Sequence, residues 1–66
     1  MKILAILPNA VFMLDGRWTY TLELVVKNSK EKRSVYDTST KTFPTSNAAK
    51  QAMREQLRFE RIKHGL

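Results

Sequence analysis

Cysteine is absent, so no disulfide and no thiolate metal site can staple this chain. Glycine occurs only as Gly16 and Gly65, which leaves no glycine-rich loop to cradle a phosphate. The single histidine, His64, stands at the end of the chain, where helices fray. Acids are few, six against twelve Lys and Arg. Asp15, Glu23, Glu31, Asp37, Glu55 and Glu60 are scattered, and no two have a spacing that forces convergence. The hydroxyl run "TSTKT" has no neighbouring base to activate it. These gaps predict no catalytic residue, no metal site, no cofactor and no enzyme. Long apolar runs are also missing. "MKILAILPNAVFML" imitates a secretory signal loosely, with Lys2 ahead of apolar residues. It is too short to span a bilayer as a helix, is broken by Pro8 and Asn9, and leads to no small-x-small cleavage pattern. A cytoplasmic protein with no membrane partner is expected.

With 66 residues, the chain is expected to form one small domain, 1–66. A core of this size supplies only about 3–5 kcal/mol, so help from a second copy or a partner is expected. A composition of 42% hydrophobic and 27% charged residues suits a folded globule. The net charge of +6 favours an anionic partner.

The order of signals predicts an α+β fold. An antiparallel sheet of three or four strands precedes one C-terminal helix, which packs on one face. Ile3 to Leu7 is apolar at both parities, as in a strand covered on both faces, or one covered on one face by the core and on the other by another chain. At Pro8 the strand must end, bulge or lie at an edge, because proline cannot donate to the ladder. Ala10 to Leu14 is a second apolar piece. Asp15-Gly16 is a two-residue hairpin signal. "RWTYTLELVVK" then alternates. Trp18, Tyr20, Leu22, Leu24 and Val26 belong to a core, and Arg17, Thr19, Thr21, Glu23, Val25 and Lys27 to the other face. "NSKEK" reads as a turn of about four or five residues on the usual loop lengths. "RSVYDTSTKTF" reads as a further strand that ends raggedly, with Tyr36 inward and Arg33 outward.

Pro44 closes the strand region. Ser46 is the expected N-cap of a helix running to about His64. Ala48, Ala52, Phe59, Ile62 and Leu66 fall in one apolar sector at 100° per residue, widened by Ala49, Met53 and Leu57. Lys50, Arg54, Arg58 and Arg61 lie within about 80° of one another, forming a cationic ridge. Glu60 and His64 are i,i+4 neighbours.

"GRWTYTLEL", "KEKR" and "FPTSNAA" together resemble the AP2-like, arm-type DNA-binding module of phage tyrosine recombinases, over residues 16–57. The resemblance implies a three-stranded sheet lying in the major groove with a helix behind it. Arg17, Thr19, Thr21, Lys27 and Arg33 would then face DNA, with Trp18, Tyr20, Phe43, Ala48 and Ala52 as core. Glu23 within that face and the glycine-free turn at 28–31 depart from the pattern. The three strands and alanine-rich helix also resemble the end of a double-stranded RNA-binding domain, whose first helix has no counterpart here.

The expected function is that of a small basic DNA-binding or DNA-associated accessory protein, from a phage or mobile element, with DNA ahead of RNA as partner. Phosphates would be held by Lys27, Lys30, Lys32 and Arg33 on the hairpin side and by Lys50, Arg54, Arg58 and Arg61 on the helix. The alternative is a protein-interaction module that binds an acidic partner protein and modulates its activity. Ile3, Ala5, Leu7, Phe12 and Met13 would then form an interface with that partner or with a second copy in a homodimer.

Overall fold

A computed structural model describes residues 2–66. Three antiparallel strands, β1 (Lys2–Leu14), β2 (Arg17–Asn28) and β3 (Glu31–Thr38), form a sheet of order β1-β2-β3. One helix, α1 (Ser46–Lys63), follows and packs on a single face of β1 and β2. The fold is α+β.

Asp15 and Gly16 join β1 to β2, with φ of 50° and 77°. Positive φ at both positions matches the right-handed strand twist, so the hairpin closes in two residues. The second turn is equally tight. Asn28 pairs with Glu31, and Ser29 takes a φ of 55° where a glycine would be usual. The expected four- or five-residue turn is thus two residues long, with the rest of "NSKEK" drawn into the strands.

β1 crosses Pro8 without ending. Its register with β2 shifts between Ile3 and Ala5 and again between Pro8 and Ala10. An extra residue at each shift bends the strand, and the second bulge accommodates the missing Pro8 N–H on an outer strand. The third strand ends at Thr38, and the remainder of the expected ragged stretch leaves the ladder. After Thr38 the chain bulges through 39–42 and resumes backbone bridging with the sheet at Phe43. There Phe43 and Trp18 exchange backbone hydrogen bonds of 2.7 and 2.8 Å.

Tyr20, Leu22, Leu24 and Val26 point towards the helix as the alternation requires, with Ile6, Tyr20, Leu22 and Leu57 at the core. Tyr20 and Phe43 stack with centroids 6.2 Å apart. The face assignment of β3 is the reverse of the expected one. Arg33 pairs with Val26 and Asp37 with Leu22, on the helix side, whereas Tyr36 pairs with Glu23 on the open side. No charge is buried as a result, because α1 does not reach β3 and every residue of β3 is exposed.

The N-cap is Thr45, one residue before the expected Ser46. Its hydroxyl accepts the Ala48 N–H at 3.1 Å. At the other end Gly65, at φ 71°, lets Leu66 N–H reach the Arg61 carbonyl and Gly65 N–H the Ile62 carbonyl. This pair of bonds satisfies two terminal carbonyls.

The helix is rotated from the expected sector. Ala49 and Leu57 are buried and Met53 is half-buried, while Phe59 and Ile62 are 60% and 70% exposed. Leu66 is exposed as well. Ala49 has no exposed surface, and its small side chain lets the first turns approach the sheet closely. Glu60 lies on the half-buried side and holds Gln56 at 2.8 Å and His64 at 3.4 Å.

Candidate nucleic-acid interface

The expected DNA-facing residues do not form one surface. Arg17 is exposed on the open face of the sheet, with its Nε donating to the Thr42 hydroxyl at 2.8 Å. Thr19 is 0% exposed. Its hydroxyl serves the 39–42 bulge, within 3.0 Å of the Lys41 carbonyl and 3.4 Å of that of Ser39. Thr21 is also buried, with its hydroxyl 3.3 Å from that of Thr38. Neither threonine can present its side chain to a duplex. A polar side chain in an alternating strand reads as solvent-facing; the bulge turns Thr19 into an internal tie, and pairing with Thr38 at the end of β3 does the same for Thr21. Arg33 lies on the opposite side of the sheet from Arg17 and Lys27.

The ridge on α1 is present, with one change. Lys50, Arg54 and Arg58 are exposed, but Arg61 is half-buried and donates from Nε to the Ile6 carbonyl at 3.1 Å. The flank of the helix that carries the ridge therefore borders β1. Arg54, Arg58 and Arg61 rim a shallow groove whose apolar lining is Leu57, Ile62 and Leu66. Part of this charge has a local explanation, since cations near a helix C-terminus complement its dipole. Arg61 and Lys63 occupy the last turn.

A different cationic feature has no such explanation. Lys2 pairs with Lys27, and Lys27 pairs with Lys32. Three exposed lysines, one from each strand, therefore stand in a row on the open face. With strands about 4.8 Å apart, the row is about 10 Å long. Like charges placed directly opposite one another destabilise a sheet. Lys30 stands in the adjoining turn, so four ammonium groups gather at the end of the β2–β3 hairpin. Glu23, on the same face further along β2, accepts a hydrogen bond from the Ser34 hydroxyl rather than pairing with a lysine. Among the described residues no Lys or Arg forms an ion pair, and the one contact between a basic and an acidic side chain is that of His64 with Glu60.

Lys2 was not among the expected contacts. Its place in the row follows from the two bulges, which set the register of β1 and carry no composition signal of their own. The expected apolar interface divides between faces. Ala5, Leu7 and Phe12 pair with open-face residues of β2, whereas Ile3 packs against the core and Met13 pairs with Trp18 on the helix side.

No protein-family model matches the chain, and no curated protein or solved structure is significantly similar to it. No helix among the described residues is long and apolar enough to cross a membrane.

Proposed function

We propose that this is a small DNA-binding or DNA-associated accessory protein, which holds its nucleic acid through phosphates at the hairpin end of the open sheet face. One observation carries the reading: the Lys2–Lys27–Lys32 row, which costs stability in the free protein. An anion laid across the row removes that cost. Phosphate contacts of this kind position a protein without reading sequence. Lys30 extends the contact, and the exposed Ser34 and Tyr36 flank it on β3. The ridge on α1 lies on the other layer of the fold and does not join this contact.

Binding of a labelled duplex across a salt series tests the proposal. The parent should bind at low salt and lose affinity steeply as salt rises. Lys27→Glu with Lys32→Glu should lower affinity on every duplex sequence and flatten the slope by about two units, one per lost phosphate contact. Arg54→Glu with Arg58→Glu should leave the slope close to the parent's. A parent that binds neither DNA nor RNA at low salt refutes the reading.

A second reading rests on the groove of α1. Leu57, Ile62 and Leu66, rimmed by Arg54, Arg58 and Arg61, match an acidic amphipathic segment of a partner protein whose activity is modulated on binding. The Arg54/Arg58 reversal would then abolish that association while sparing duplex binding.

A further inference from the structure

The sheet has two outer edges, and they are built differently. The β1 edge is blunted three times over. Pro8 cannot donate, two bulges break its register, and the Arg61 guanidinium occupies the Ile6 carbonyl. The β3 edge has none of these devices. Its register with β2 runs from Glu31 to Thr38 without a shift, it contains no proline, and among the described residues no element lies over it. Val35 and Tyr36 on it are 40% and 58% exposed. We infer that the β3 edge is the pairing surface for a second copy of this chain, joining two sheets into one antiparallel sheet of six strands.

The hydrogen-bonding phase of β3 defines the geometry. Asn28 and Glu31 flank a two-residue turn, and Ser39 N–H bonds to the Tyr20 carbonyl at 2.9 Å. Backbone groups of Glu31, Arg33, Val35 and Asp37 therefore face β2. Those of Lys32, Ser34, Tyr36 and Thr38 face outward. A two-fold axis perpendicular to the sheet keeps faces matched, so paired residues share parity.

Side-chain charge then selects among the allowed registers. Centred on Val35, the pairing places Arg33 opposite the partner's Asp37, and Asp37 opposite the partner's Arg33. Ser34 meets the partner's Tyr36, and Val35 packs on the partner's Val35 at the axis. Centred on Ser34, it would set Glu31 against the partner's Asp37, two acids together. Centred on Tyr36, it would lose both Arg–Asp pairs. The charges along this edge thus favour one register, oppose the one centred on Ser34 and leave the one centred on Tyr36 without an ion pair. Lys32 and Arg33 balance Glu31 and Asp37, so β3 is neutral in a chain of net charge +6. A second copy can approach there without meeting the excess cations head-on.

Sedimentation equilibrium at moderate salt, from micromolar concentrations upward, should show a reversible monomer–dimer equilibrium. Arg33→Asp and Asp37→Arg should each weaken the dimer about tenfold, because each turns two attractive cross-strand pairs into repulsive ones. The double exchange should restore most of the parental affinity. Thermal melts will show that each variant is folded, since both side chains are exposed and make no hydrogen bond among the described residues. Val35→Cys supplies an independent readout in a chain without cysteine. Paired residues at a non-hydrogen-bonded site lie about 4.5 Å apart at Cα, so mild oxidation should link the dimer. Phe59→Cys should not link. A parent that stays monomeric throughout overturns the inference, as does a dimer indifferent to Arg33→Asp or a double exchange that fails to restore it.

Discussion

Leu57 and Phe59 are two residues apart on one helix, and they provide a sharp test of how α1 sits on the sheet. Leu57 is 8% exposed and packs with Ile6, Tyr20 and Leu22, whereas Phe59 is 60% exposed. Truncating a buried leucine removes its transfer free energy and leaves a cavity, for a total of about 2–5 kcal/mol. A domain of this size holds only about 3–5 kcal/mol in all, so Leu57→Ala should stand at the edge of unfolding. Phe59→Ala removes a larger side chain, yet an exposed position away from caps and networks should change stability by only about 0.5 kcal/mol or less. Urea unfolding followed by fluorescence of Trp18, the sole tryptophan, reads both variants. With a slope near the low end for small proteins, about 1 kcal/mol per molar, Leu57→Ala should lower the midpoint by at least about 2 M or abolish the transition. Phe59→Ala should move it by about 0.5 M at most. The opposite order of costs would mean that the helix presents its other apolar stripe to the sheet.

Thr19→Val should cost about 1–3 kcal/mol in chemical denaturation despite its similar shape, because it removes the buried hydroxyl that serves the Ser39 and Lys41 carbonyls. Parental stability would show that the 39–42 bulge does not depend on that tie. Thr45→Ala should cost about 1 kcal/mol through the lost cap on the Ala48 N–H, with Thr45→Ser close to the parent. Lys27→Ala, at the centre of the lysine row, should leave stability unchanged or raise it by a few tenths of a kcal/mol at low salt. The parent's melting temperature should rise with moderate salt as the row is screened, and that of Lys27→Ala should rise less. A melting temperature for the parent that falls with added salt would contradict repulsion within the row.

The sequence alone determined the local elements. Alternation over residues 17–27 specified β2 and its core side, because side chains on a strand alternate faces with a period of two. Asp15-Gly16 specified the first turn, because both residues accept positive φ. Helical spacing after Pro44, and the i,i+4 meeting of Glu60 with His64, follow from the period of 3.6. Tertiary structure decided what depends on the position of one element against another. Two apolar stripes compete on α1, and contact with β1 and β2 buries the one containing Ala49 and Leu57 rather than the one containing Phe59. The faces of β3 follow from a turn only two residues long, and a one-residue change in register exchanges every side chain between faces. Arg33 and Asp37 can lie on the helix side because the helix stops short of them. The lysine row exists only because two bulges bring Lys2 opposite Lys27. Such registers are sums of non-local contacts, and no window of neighbouring residues contains them.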